Sequence, residues 1–306
     1  MIKSLTVTNF LGEKIKMELR EPEKSGFLIT SIDGLGPVKA TINTTEVSTN
    51  DGSIFNSARL SQRNIVMHLI FLDENGESIE DVRQRSYKFF PLKKKLKIVI
   101  ETDNRTLQTE GYVESNEPDI FSKQEGTQIS ILCPDPYLYS TDEDGKHVTY
   151  FYSVEPLFEF PFENASLSED LIEFGDIDIR TEGVITYTGD ADVGIMIFIH
   201  AIGSASDITI YNVDTREQMV INTSKIEQLT GHSIIASDDI EISTIKGSKH
   251  IHLIRNGITY NILNCLSKDA DWFTITKGDN TFAFTAESGV TNLQFRIENR
   301  VVFEGV

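Results

Sequence analysis

The 306-residue chain is poor in cysteine, tryptophan and proline, with 2, 1 and 8 of them. Cys133 and Cys265 each lie in an apolar, strand-like stretch, so neither a disulfide framework nor a cysteine-rich zinc site is available. Both are expected to be buried free thiols, because an unpaired cysteine behaves as a small hydrophobe. No uninterrupted apolar run approaches the roughly 18 to 20 residues that span a bilayer, so no membrane partner is expected. The opening residues, Met1-Ile2-Lys3-Ser4-Leu5-Thr6-Val7, alternate polar and apolar and lack the apolar core of a secretory signal, which points to folding in a cytosol.

Positive charge is scarce too. With 28 Lys/Arg against 47 Asp/Glu the formal net charge is −19, which argues against sequence-specific nucleic acid binding, since a grip on phosphates is mostly electrostatic. Residues 1–140 carry 17 basic against 20 acidic side chains, and residues 141–306 carry 11 against 27, so the halves contribute −3 and −16. That asymmetry suggests two domains in different surroundings.

Catalytic constellations are missing as well. There is no Gly-x-Ser-x-Gly elbow, and neither cysteine sits in a catalytic context. His250 and His252 would share one face of a strand, but no further ligand can be identified for a metal. The acidic turns Asp142-Glu143-Asp144-Gly145 and Asp190-Ala191-Asp192-Val193-Gly194 lack the bidentate glutamate of a helix-flanked calcium loop. Nothing local selects a carboxylate pair for glycoside hydrolysis. The expectation is a protein with no catalytic residue, no metal and no cofactor.

What the sequence has in abundance is period-2 alternation. It runs through Leu5 to Phe10, Ile65 to Phe71, Lys97 to Glu101, Gln128 to Leu132, Val184 to Thr188, Ile195 to Ile199 and Ile208 to Val213. It resumes at Ile240 to Thr244, His250 to Arg255, Thr281 to Thr285 and Asn292 to Glu298, with Gly, Asn and Asp clusters between. Strand after strand, separated by turns, predicts a mainly β protein of sandwiches or barrels.

One segment departs from this pattern. Ser78 is placed to cap a helix with Asp81 as the acidic N3 partner, and Ile79, Val82, Ser86 and Phe89 follow at helical spacing. Pro91 should end it, which predicts one helix over about 78–90. Lys93, Lys94, Lys95 and Lys97 follow, either as a solvated basic turn or as a contact between subunits.

From Thr41 to Arg63 runs a polar stretch with little apolar periodicity, expected as an irregular loop reaching a neighbouring subunit. Its candidate contact residues are Glu46, Val47, Asp51, Ile54, Phe55 and Arg59. A domain boundary is placed near residue 139, after Cys133-Pro134-Asp135-Pro136-Tyr137, where two prolines interrupt a strand and the charge balance shifts. Phe158, Phe160 and Phe162 would face one way on a strand, as core or as interface, and Trp272 beside Phe273 is an anchor or an exposed aromatic. Phe158, Phe160 and Trp272 are the candidate partner-facing aromatics.

Phe27-Leu28-Ile29-Thr30-Ser31-Ile32-Asp33-Gly34-Leu35-Gly36-Pro37, then Asp51-Gly52 and Arg59-Leu60-Ser61-Gln62-Arg63-Asn64-Ile65, resembles the N-terminal region of siphophage distal tail (Dit) proteins. Cys133 to Tyr137 resembles the junction after that domain, and Trp272-Phe273, Gly278 to Phe282, Leu293-Gln294-Phe295 and Phe303 to Val306 resemble the family's final stretch. The resemblance implies a split-barrel-like N-terminal β-domain over 1–139, with one helix and a long belt loop at about 43–59, followed by a galectin-like β-sandwich over 140–306. It implies a homo-hexameric ring at the virion tail tip, assembled in the host cytoplasm, with an axial channel for DNA. The implied partners are the tail tube protein, a tail-associated tip protein and receptor-binding proteins. The short loops leave no room for the inserted carbohydrate-binding modules of long family members. Two other functions compete with this reading: a carbohydrate-binding host-adhesion protein, expected to show exposed aromatics beside polar groups in a concave site, and a wall hydrolase.

Overall fold

Alternation in the sequence becomes alternation in burial. Along Arg63–Phe71 every second side chain, from Arg63 through Ile65, Met67 and Leu69 to Phe71, is buried, and along Lys95–Thr102 the buried ones are Leu96, Ile98 and Ile100. A computed structural model describes residues 1–46, 51–73, 76–141, 146–155 and 176–306 and shows a mainly β protein. It divides into two compact units, Met1–Gly145 with Val302–Val306, and Lys146–Val301.

The first unit is organised by a nine-stranded sheet. Its main path runs Lys14–Glu18, Ile2–Thr8, Lys95–Thr102, Thr106–Asp119, Gly126–Cys133, Arg63–Phe71 and Phe27–Asp33, with antiparallel neighbours throughout. Leu138–Ser140 joins Thr106–Asp119 on one side and Val302–Phe303 on the other, so residues 302–306 are tied into this unit. The core gathers Leu5, Val7, Met17, Phe27, Ile65, Met67, Ile98 and Ile131.

The predicted helix forms over Ile79–Phe89. Ser78 Oγ accepts from the Asp81 amide at 3.2 Å and Asp81 returns the bond to the Ser78 amide at 3.0 Å, completing the capping box. Val82, Ser86 and Phe89 are its buried face, with Val82 and Phe89 in the core. Pro91 lies just beyond its end.

Two features correct the sequence reading. The stretch expected as an irregular loop at 43–59 is an antiparallel β-hairpin of Ala40–Glu46 with Ser53–Leu60, in a sheet of its own. And, while the one helix expected of the N-terminal domain is present, a helix not expected from the sequence lies in the second unit, at Thr223–Thr230. Asn222 caps it by accepting from the Lys225 amide at 3.1 Å, and Gly231 closes it in the left-handed conformation at φ 86°. At eight residues it is too short to display a helical period, and only Thr223 and Ile226 are buried.

The second unit is a two-layer sandwich. A six-stranded sheet runs Lys146–Tyr150, Leu293–Arg300, Met196–Ala201, Asp239–Ser243, His250–Arg255 and Ile258–Asn261. A four-stranded sheet runs Glu182–Tyr187, Gly278–Ser288, Ser206–Asn212 and Glu217–Ile221. Ile197, Ile199, Ile240, Ile242, Ile251 and Leu253 line the inner face of the first, and Ile185, Ile208, Ile210, Met219 and Phe282 are buried on the second. Phe284 of one layer stacks on Phe295 of the other with ring centroids 3.5 Å apart.

Both cysteines are buried free thiols, and burial raises the pKa of each. Among the described residues no helix is long and apolar enough to cross a membrane.

Candidate functional site: an exposed β-arm

The hairpin Ala40–Glu46/Ser53–Leu60 is the feature of the first unit least explained by folding alone. Its register pairs Ala40 with Leu60, Thr41 with Arg59, Ile42 with Ala58, Asn43 with Ser57, Thr44 with Phe55, Thr45 with Ile54 and Glu46 with Ser53. A bulge lies between Asn43 and Thr44, opposite Asn56. Threonine, isoleucine and phenylalanine favour the extended backbone, and side-chain bonds add to the ladder. Asn43 Nδ2 donates to Ser57 Oγ at 2.9 Å, and Asn56 Nδ2 donates to Thr45 Oγ1 at 2.6 Å.

What the arm lacks is a covered face. Except for the half-buried Leu60, every residue of the two strands is exposed, including Ile42 at 62%, Ile54 at 59% and Phe55 at 63%. Directly paired residues point the same way, so Ile42 and Phe55 fall on one face and Ile54 on the other. Neither outer edge pairs with another strand among the described residues. An isolated two-stranded hairpin is at best marginally stable in water. Open edges and paired apolar faces are the surface on which backbone pairing with another chain is built.

The structure distributes the candidate residues unevenly. Glu46, Ile54, Phe55 and Arg59 are on the paired strands, and Asp51 lies in the turn before Gly52, whose φ of 92° suits glycine. Val47, Phe158 and Phe160 lie outside the described residues. Trp272 belongs to the second unit, where it is half-buried with Lys249 Nζ 5.0 Å from its ring centroid, while Phe273 beside it is buried against Phe282. Ile42 belongs with the arm's apolar residues and was missed, although its place among threonines is a strand signal. Also missed was Phe121, 95% exposed in the turn between Thr106–Asp119 and Gly126–Cys133.

The arm leaves the sheet beside a rigid anchor. Arg63, wholly buried, donates from Nε to Pro136 O at 2.9 Å, from Nη1 to Gly34 O and to Gly36 O at 2.8 Å, and from Nη2 to Glu304 O at 2.6 Å. Burial pushes its pKa down from the usual arginine value. Gly34 sits at φ 85°, and an added Cβ would stand 1.9 Å from Asn64 O, so only glycine fits beneath this clamp. The arm's base, Lys39 to Ser61, is joined by a Ser61 amide bond to Lys39 O at 3.2 Å, two residues before Arg63.

The remaining sequence candidates are satisfied locally. His250 and His252 do share a face, with rings stacked at 4.5 Å, but His250 Nε2 bonds Glu241 at 3.1 Å and Nδ1 bonds Ser248 O at 2.9 Å. Among the described residues no group of three or more His, Cys, Asp or Glu side chains could hold a metal ion. Of the basic turn, Lys94 lies over Phe10, with its Nζ 5.3 Å from the ring centroid, and Lys95 pairs with Glu110 at 2.7 Å.

Residues 22–164 match the family model of the phage tail protein RIFT-related domain. No curated protein sequence matches the chain. Among solved structures it is similar to the Dit protein of phage SPP1, described as a paradigm of the hub adsorption apparatus in phages infecting Gram-positive bacteria. The TM-score is 0.62 at 13% identity, over 98% of this chain and 100% of that one. A chain of the phage P2 baseplate in its activated conformation with Ca is similar at a TM-score of 0.42 and 12% identity, over 98% and 99% of the two chains. Residues 22–164 thus carry a phage tail protein RIFT-related domain, and the chain as a whole shares the fold of the SPP1 Dit protein.

Proposed function

We propose that the chain is a non-enzymatic distal tail protein that assembles into a hexameric ring, joins the tail tube to the tail tip or baseplate, and leaves an axial channel for DNA. The observation that carries this reading is the β-arm, a two-stranded hairpin with apolar residues on both exposed faces and both edges open. In the ring, the arm lies across the adjacent subunit, and Ile42, Ile54 and Phe55 lose their water there. The near-neutral first half supports close packing of copies, where a large like charge would oppose assembly. The second unit, with most of the negative charge, faces outward toward receptor-binding proteins. The tail tube and tip proteins meet the two faces of the ring.

The test removes residues 46–57 and leaves the rest of the chain intact. Light scattering after size exclusion is expected to give a hexamer for the parent and smaller species for the deletion. A hexamer of unchanged mass in the deletion rejects the arm as the assembly element.

A further inference from the structure

The outward face of the six-stranded sheet in the second unit carries side chains that a solvated strand does not require. Alternation demands only that the residues between the buried isoleucines be polar. The register instead aligns Tyr150, Arg296, Phe198, Glu241 and His252 in one cross-strand row, and Gln294, His200 and Asp239 in the next. The four-stranded sheet obeys the same alternation with Val184, Thr209, Tyr211, Ala283 and Thr285 on its outward face, a set with one aromatic and no charged group. The contrast is one of side-chain chemistry on equivalent backbones.

Of these rows, Arg296, Phe198, Glu241, Gln294, His200 and Asp239 line an open groove of about 400 Å³, within the range of small-ligand sites. Tyr152 and Phe198 supply half-buried aromatic surface in it. The Arg296 guanidinium lies over the Phe198 ring, 4.4 Å from the centroid, which fixes the ring and the charge together. Its Nε stands 3.5 Å from Glu298 and makes no hydrogen bond among the described residues, a buried donor open on that side. His200 Nδ1 and Asp239 Oδ1 are 2.7 Å apart, and Glu241 is held by His250, so the imidazole and carboxylate positions are set in advance.

The composition of the groove selects the ligand. Arg296 is the one lysine or arginine among the described lining residues, facing the carboxylates of Asp239 and Glu241, so a phosphate or uronate polymer meets more repulsion than attraction. A purely apolar ligand would leave these polar groups desolvated and unpaired. A molecule with C–H faces and a rim of hydroxyls satisfies both kinds of wall. We propose that this groove binds a neutral saccharide, with Phe198 and Tyr152 as the apolar platform and Arg296, Gln294, His200 and Asp239 as the hydrogen-bonding rim. The proposal does not depend on ring assembly.

The experiment applies the full chain to an array of neutral and anionic oligosaccharides and then titrates the best neutral binder. Phe198→Ala is expected to weaken binding roughly tenfold, the size of one lost aromatic contact of about 1.4 kcal/mol. Tyr211→Ala, on the other sheet, is expected to change nothing. Gln294→Ala, at the groove's rim, is the second variant if Phe198→Ala does not fold. Silence toward every neutral glycan, preference for anionic glycans alone, or binding that survives the groove variants overturns the proposal. Loss of rings with glycan binding intact bears on assembly and leaves this site standing.

Discussion

The two units expose β-structure in opposite ways. In the first, the arm stands on two strands with no core behind it, so each of its apolar side chains meets water on both sides of the hairpin. In the second, the outward face of the six-stranded sheet is backed by a continuous layer of isoleucine, leucine and phenylalanine. An unsupported arm gains order from a partner chain, whereas a supported face is organised before anything binds. The first suits assembly and the second suits recognition.

A buried arginine in each unit repeats the contrast. Arg63 bonds only backbone carbonyls, those of Gly34, Gly36, Pro136 and Glu304. Arg255 instead makes a bidentate pair with Asp238, at 2.8 and 2.6 Å, and adds Thr230 Oγ1 at 2.8 Å and Ser233 O at 2.6 Å. The hydrogen bond to Asp238 raises the pKa of Arg255, while burial lowers that of Arg63.

The largest expected effect is that of Arg63→Ala. It strands four carbonyls and opens a cavity, and should cost about 3–5 kcal/mol. Trp272, the only tryptophan, lies in the second unit. The loss should therefore appear in the circular dichroism transition while the tryptophan fluorescence midpoint stays in place. Equal shifts in both signals would erase the distinction between the units.

Arg255→Ala is expected to cost a similar or slightly smaller amount, because it leaves Asp238 charged and buried, and here the fluorescence midpoint should move. The double change Arg255→Met with Asp238→Leu should recover about half of that loss or more, since both partners of the pair are then apolar. No such rescue exists for Arg63, whose partners are backbone. A double variant no better than Arg255→Ala alone would contradict this account of the pair.

Smaller in stability but larger in assembly is the paired change Ile54→Ser with Phe55→Ser on the arm. Because both side chains are exposed, unfolding should shift by less than about 0.5 kcal/mol. Sedimentation should show fewer rings. Unchanged assembly would remove the apolar faces from the interface.

Acid should give the smallest and most gradual effect. Glu13 is held below the usual carboxylate range by its hydrogen bond to Lys88 and then by Asn9, Glu101 by Ser4 and then Lys16, and Asp81 by Ser78. A carboxylate lowered in the folded state contributes stability that is complete above its unfolded pKa, about 4. That contribution is lost as pH falls through the lowered folded value. Denaturant midpoints of the first unit should thus hold steady at neutral pH and decline below about pH 4. A rise on acidification would show that the sign is wrong.

The fold was legible where one face of a strand is buried. His250–Arg255, with Ile251, Leu253 and Arg255 buried, reads directly from its alternation, and the helix Ile79–Phe89 from its cap and spacing. The arm was not legible as a hairpin for the same reason: with both faces wet, its residues carry no alternating burial to imprint a period. Ile54 and Phe55 still stand out there as apolar residues in a polar stretch, and the structure leaves both exposed. Arg63 was invisible as an anchor because its carbonyl partners lie between 27 and 241 residues away in sequence. The groove likewise depends on register across strands far apart in the chain, which brings Phe198 beside Arg296.

Negative-stain microscopy of the purified full chain at high concentration tests the central claim most directly. Six-fold rings with an open centre, lost when residues 46–57 are removed, are the predicted result. Particles that remain single copies, or rings that persist unchanged without the arm, would contradict it.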